Sequence, residues 1–87
     1  MPKPVDYEFV INKCLSEFNA NADGVAARLI SVGNFDFDVE IISQNLQDVV
    51  FSTTEDLMAR FKKNGMRGEM SWFTKTDLDK MLVRFRI

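Results

Sequence analysis

The apolar residues of this chain follow two different periods. Tyr7, Val10, Cys14 and Phe18, supported by Ile11 and Leu15, recur every three or four residues, the spacing that gathers side chains on one face of a helix over about 5–19. Pro4 suits the first turn of such a helix and Asp6 and Glu8 suit its positive end, while the turn formers from Asn19 to Gly24 end it. After Gly33 the period becomes two. Phe35, Phe37, Val39 and Ile41 alternate with Asp36, Asp38 and Glu40, which predicts a strand with the apolar set inward and the acids exposed. The last residues repeat the device with the opposite charge, Val83, Phe85 and Ile87 alternating with Arg84 and Arg86. Antiparallel pairing of these two strands sets acid opposite base.

The segments between them carry mixed signals. Val25 to Val32 fits a short helix capped by Asp23 and closed by Gly33, the preferred reading, but Val25, Ala27 and Leu29 also alternate as in a strand. Leu46, Val49 and Val50 suggest a short helical turn. Ser52 with Glu55 has capping-box spacing and opens a second helix over about 53–64, with Leu57, Met58 and Phe61 inward, Lys62 and Lys63 in its last turn and Asn64-Gly65 as a left-handed stop. Gly68 to Phe73 reads as a further strand, and Thr76 with Asp79 as the cap of a short helix carrying Leu78 and Met81.

Helical and extended signals interleave, so the expected architecture is α+β. One domain over residues 1–87 would hold an antiparallel sheet of two to four strands, covered on one face by two or three helices. An all-α arrangement is the rival, with Asp38 capping a helix through Val50 and a C-terminal helix from Asp77 turning Leu78, Leu82 and Phe85 inward. Either version places Phe9 and the other large aromatics mostly in the core.

Composition narrows the chemistry. With 87 residues, 46% of them apolar, the chain can support one core. No apolar run approaches the roughly 20 residues of a membrane span, and no charged-then-apolar leader opens the sequence, so it reads as soluble and unexported. A single cysteine, Cys14, offers no disulfide framework and points to the reducing cytoplasm. Histidine is absent, which removes Ser-His and Cys-His nucleophile pairs, Cys/His zinc sites and histidine pH switches. Gly24, Gly33, Gly65 and Gly68 are too dispersed for a phosphate-binding loop. No cofactor and no enzymatic activity are expected.

Two surfaces remain as candidates. Asp36, Asp38 and Glu40 would project from one strand face, where they could offer oxygen ligands to a divalent cation, form a solvated face, or dock on a basic partner, the functional version preferred. Charge is also split along the chain: residues 1–58 hold ten acids and three bases, residues 59–87 eight bases and three acids. Arg60, Lys62, Lys63 and Arg67, with Trp72 and Phe73 nearby, could therefore form a nucleic-acid or acidic-partner site, unless the basic half is consumed by the acidic one. Trp72, with Met66 and Met70, is either core or an interface anchor. Cys14, on an apolar helix face, reads as a small buried hydrophobe.

These features favour a small non-enzymatic protein-binding module, an inhibitor or regulator of a larger macromolecular complex, of a size common among phage and mobile-element regulators. A nucleic-acid-binding regulator using the basic C-terminal half, and a structural subunit of an assembly such as a homo-oligomer, are the alternatives.

Overall fold

The computed structural model describes residues 6–87. In chain order it contains helix α1 (Tyr7–Asn21), strands β1 (Val25–Val32) and β2 (Asp36–Ser43), helix α2 (Leu46–Lys63), and strands β3 (Met70–Asp77) and β4 (Lys80–Arg86). The strands form one antiparallel sheet in the order β1-β2-β4-β3. This is the α+β architecture, and the all-α alternative is excluded. No helix among the described residues is long and apolar enough to cross a membrane.

Helix α1 forms as its periodicity predicts. Asp6 accepts a hydrogen bond from the Phe9 N–H at 3.1 Å, satisfying one of the donors that a helix start leaves open, and Ile11, Cys14, Leu15 and Phe18 are buried. The expected place of Pro4 lies outside the described residues. Helix α2 is longer than predicted. Leu46 already belongs to it, so the short helical turn and the second helix are one element, and Ser52 is no cap: its hydroxyl donates back to the Val49 carbonyl at 3.0 Å. The helix ends as expected, with Gly65 at φ +85°, the Met66 N–H on the Phe61 carbonyl and the Gly65 N–H on that of Lys62. Buried Met66 supplies the apolar contact that accompanies this left-handed termination.

Two expected helices are strands or turns. Residues 25–32 are β1, paired with β2 from Val25↔Ser43 to Val32↔Phe37 around a bulge at Ile30. Eight residues are too few to sustain a helix without tertiary support, whereas pairing with β2 satisfies the backbone. The Asn19 side-chain amide also donates to the Ala27 carbonyl at 2.8 Å and accepts from the Ala27 N–H at 2.9 Å. Thr76 to Met81 is likewise no helix but the β3–β4 hairpin: Asp77 pairs with Lys80, Leu78 and Asp79 form the turn, and Met81 is already in β4.

The core lies between the helices and one face of the sheet. Phe37, Phe61 and Phe85 form its centre, with ring centroids 4.9 to 5.6 Å apart, surrounded by Ile11, Val39, Ile41, Leu57 and Val83. Beneath this cluster Gly68 passes α2 so closely that a Cβ would stand 2.8 Å from the Met58 carbonyl oxygen. The expectation that most large aromatics are core does not hold. Phe9, Phe35, Phe51 and Phe73 are exposed, Phe35 by 83%, and Trp72 is 45% exposed. Phe35 precedes β2 in the β1–β2 turn, so the strand alternation that buries Phe37 does not reach it.

Candidate functional site

Strand β2 runs through the sheet interior, and its alternation puts Asp36, Asp38 and Glu40 on the face away from the helices. The three acids are half-buried rather than exposed, because basic side chains of both neighbouring strands cover them. Arg28 on β1 reaches Glu40 at 3.0 Å and Arg84 on β4 reaches Asp38 at 2.9 Å, while the register sets Arg86 opposite Asp36. Asp38 also accepts from the Ser31 hydroxyl at 3.3 Å. By register the outer face carries Arg28, Lys80, Arg84 and Arg86 against Asp36, Asp38, Glu40 and Asp77, so its charges balance. No group of three or more potential metal-ligating side chains occurs among the described residues.

The basic and aromatic candidates are not brought together. Arg60 lies in a cleft of about 470 Å³ between α1 and α2, held by Asp56 at 2.6 Å and by Glu17 across the cleft at 3.7 Å. Lys63 lines the same cleft, and Lys62 is exposed in the last turn of α2. Arg67 sits in another cleft, of about 500 Å³, with Tyr7, Phe35 and Arg86. Trp72 is on the outer sheet face opposite Arg84, whose guanidinium lies 5.4 Å from the ring centroid. The hydrogen bond that Arg84 donates to the Asp38 carboxylate, reinforced by the charge of Asp38, raises the Arg84 pKa, so this cation is both permanent and occupied. Cys14 is buried as expected; its thiol points to the Arg60 carbonyl, and burial first, then the Glu17 charge, raise its pKa.

What sequence reasoning missed is the lateral flanks of the sheet. Helix α2 leaves the inward face of β3 partly uncovered, opening an apolar groove of about 110 Å³ lined by Val50, Phe51, Thr54, Met70, Phe73 and Met81. Phe51 is 79% and Phe73 58% exposed at its lip. The groove's neighbour, a trough beside the N-terminal end of α2, is lined by Gln47, Asp48, Lys75 and Leu78 among others. At the opposite flank Ile30 and Val32 on β1 are exposed, with Phe35 in the adjoining turn. One signal was available for Phe51: its helical neighbours four residues away, Gln47 and Glu55, are polar, which places it on the solvent face. Another was the adjacency of Trp72 and Phe73, which cannot both point inward from one strand.

Comparison with protein-family models, with curated proteins and with solved structures finds no match.

Proposed function

We propose that this chain is a small protein-binding module, an inhibitor or regulator of a larger macromolecular complex, that works without chemistry of its own. The observation that carries the reading is the exposure of large apolar side chains on opposite flanks of the sheet, Ile30 and Val32 on β1 with Phe35 in the turn that follows, and Phe51, Phe73 and Met70 about the groove beside β3. Clustered exposed apolar groups of this size mark association surfaces, and aromatic anchors contribute a large share of binding energy. The outer sheet face supports a protein rather than a nucleic acid as partner: its arginines are engaged or balanced by acids, leaving little uncompensated positive charge for phosphates. The same balance moves the docking role from the acidic strand to the flanks. A reducing cytoplasm suits the lone buried thiol.

The test is affinity capture from the expressing cell, comparing the wild-type chain with Phe35→Ser and Ile30→Ser. A partner recovered near stoichiometry by the wild type and lost by both folded variants is the expected result. Equal recovery by all three, or salt-sensitive recovery of nucleic acid alone, would overturn the reading.

A further inference from the structure

We infer that the α2–β3 flank is a self-association surface, joined to the same flank of a second copy of this chain across a two-fold axis. The inference rests on the protein-binding reading and assigns one of its two patches.

The two walls of the groove are complementary to each other in a way that a two-fold axis exploits. On α2, Asp48, Phe51 and Glu55 are exposed along one stripe, with a carboxylate about one turn, roughly 4.5 to 6 Å, to either side of the ring. On β3, Phe73 and Lys75 point to the helix side, two residues or about 6.6 Å apart. One wall thus reads acid-ring-acid and the other ring-base at nearly the same spacing. None of Asp48, Glu55 and Lys75 belongs to an ion pair among the described residues. When α2 of one protomer meets β3 of the other, Phe51 packs on Phe73 and a carboxylate reaches Lys75, and the two-fold repeats both contacts.

The size also fits. Phe51, Phe73, Met70 and Leu78 are 79%, 58%, 39% and 84% exposed. Taking about 200 Å² for each large side chain when fully open, they offer about 500 Å² of apolar surface per protomer. At the roughly 65% apolar share of homodimer interfaces, two such patches correspond to about 1,500 Å² of total buried surface, the standard size of a specific complex. Pairing through the open edge of β3 is disfavoured, because the strand is bulged at Ser71 and Thr76 and turns Lys75 inward, devices that obstruct strand addition. The faces, not the edges, meet.

Sedimentation velocity and native mass spectrometry across a concentration series test this. The wild-type chain should pass from monomer to dimer with a dissociation constant on the order of micromolar or tighter. Lys75→Glu alone, and Asp48→Lys with Glu55→Lys alone, should each be monomeric at the concentration where the wild type is dimeric, since each sets like charges together twice. Mixed one to one, these two variants should form a heterodimer, because both contacts are then complementary. Phe73→Ser should weaken the wild-type dimer at least tenfold; should that variant lose its fold, the charge-reversal pair decides. A wild-type chain that stays monomeric throughout would leave the groove to a different protein and overturn the inference. So would a dimer that survives all three variants, or variants that fail to recombine. None of these results bears on capture through Phe35 and Ile30, so the two readings fail separately.

Discussion

Asp38 and Arg84, 46 residues apart in sequence, face each other on adjacent strands with Nε 2.9 Å from Oδ1, and the same guanidinium lies over the ring of Trp72. The acidic half of the chain meets the basic half at this point, where one arginine serves both a carboxylate and an aromatic face. Asp38→Lys should lower the melting temperature, most at low salt, and the exchanged pair Asp38→Arg with Arg84→Asp should recover part of the loss. Trp72 is the chain's one tryptophan, so its emission should shift in Asp38→Lys as the guanidinium above it moves. A melting temperature and an emission maximum unchanged in that variant would mean that the pair is not formed in solution.

Phe61 is fully buried and packs against both Phe37 and Phe85. Phe61→Ala removes the ring that ties α2 to the sheet, and we expect a cost of about 3–5 kcal/mol in urea unfolding. Phe51→Ser, ten residues earlier on the same helix but exposed, should change stability by less than about 0.5 kcal/mol under conditions where the chain is monomeric. Similar losses for both would contradict the burial assignment.

Gly68 and Gly24 both have positive φ, +67° and +75°, but a Cβ at Gly24 meets nothing within 4 Å. Gly24→Ala should cost only the left-handed backbone, about 1–2 kcal/mol. Gly68→Ala adds a clash with the Met58 carbonyl and the Phe61 Cβ, so its loss should be clearly larger. Chemical denaturation of the two variants checks the order.

Cys14 makes stability depend on alkaline pH. Its thiol pKa is raised from 9.0 by burial and by Glu17, so the unfolded chain ionises first as pH rises. The folded state then holds the extra proton, and stability falls with increasing pH above about 9. The decline between pH 8 and 10 should be steeper in the wild type than in Cys14→Ala. Alkylation of Cys14 by iodoacetamide at pH 8 should require unfolding.

Periodicity was legible wherever one face is buried and the other is not. It located α1 and β2, and the alternating charges of β2 and β4 announced the pairing that the structure contains. It failed where the deciding partner is distant in sequence. Ala, Arg and Leu in residues 25–32 suit a helix, and only β2 and the Asn19 amide commit them to a strand. Ser52 and Glu55 satisfy the capping-box spacing, yet the helix had already begun at Leu46. The flanking patches were hidden for another reason: hydrophobicity alone does not say which aromatic the helices will cover, and α2 stops short of β3.

The amide of Asn19 bears on how crowded this protein can be. By bonding both the N–H and the carbonyl of Ala27 it stands where the peptide of a fifth strand would stand, and so occupies the open side of β1 near the start of the strand. The other margin is broken by the two bulges of β3. A sheet obstructed at both margins is a poor template for its own continuation, and we expect the folded chain at high concentration to favour finite complexes over fibrils. Asn19→Leu removes these hydrogen bonds and keeps the branched shape of the side chain, and it should convert a protein that tolerates concentration into one that seeds ordered, thioflavin-positive polymer.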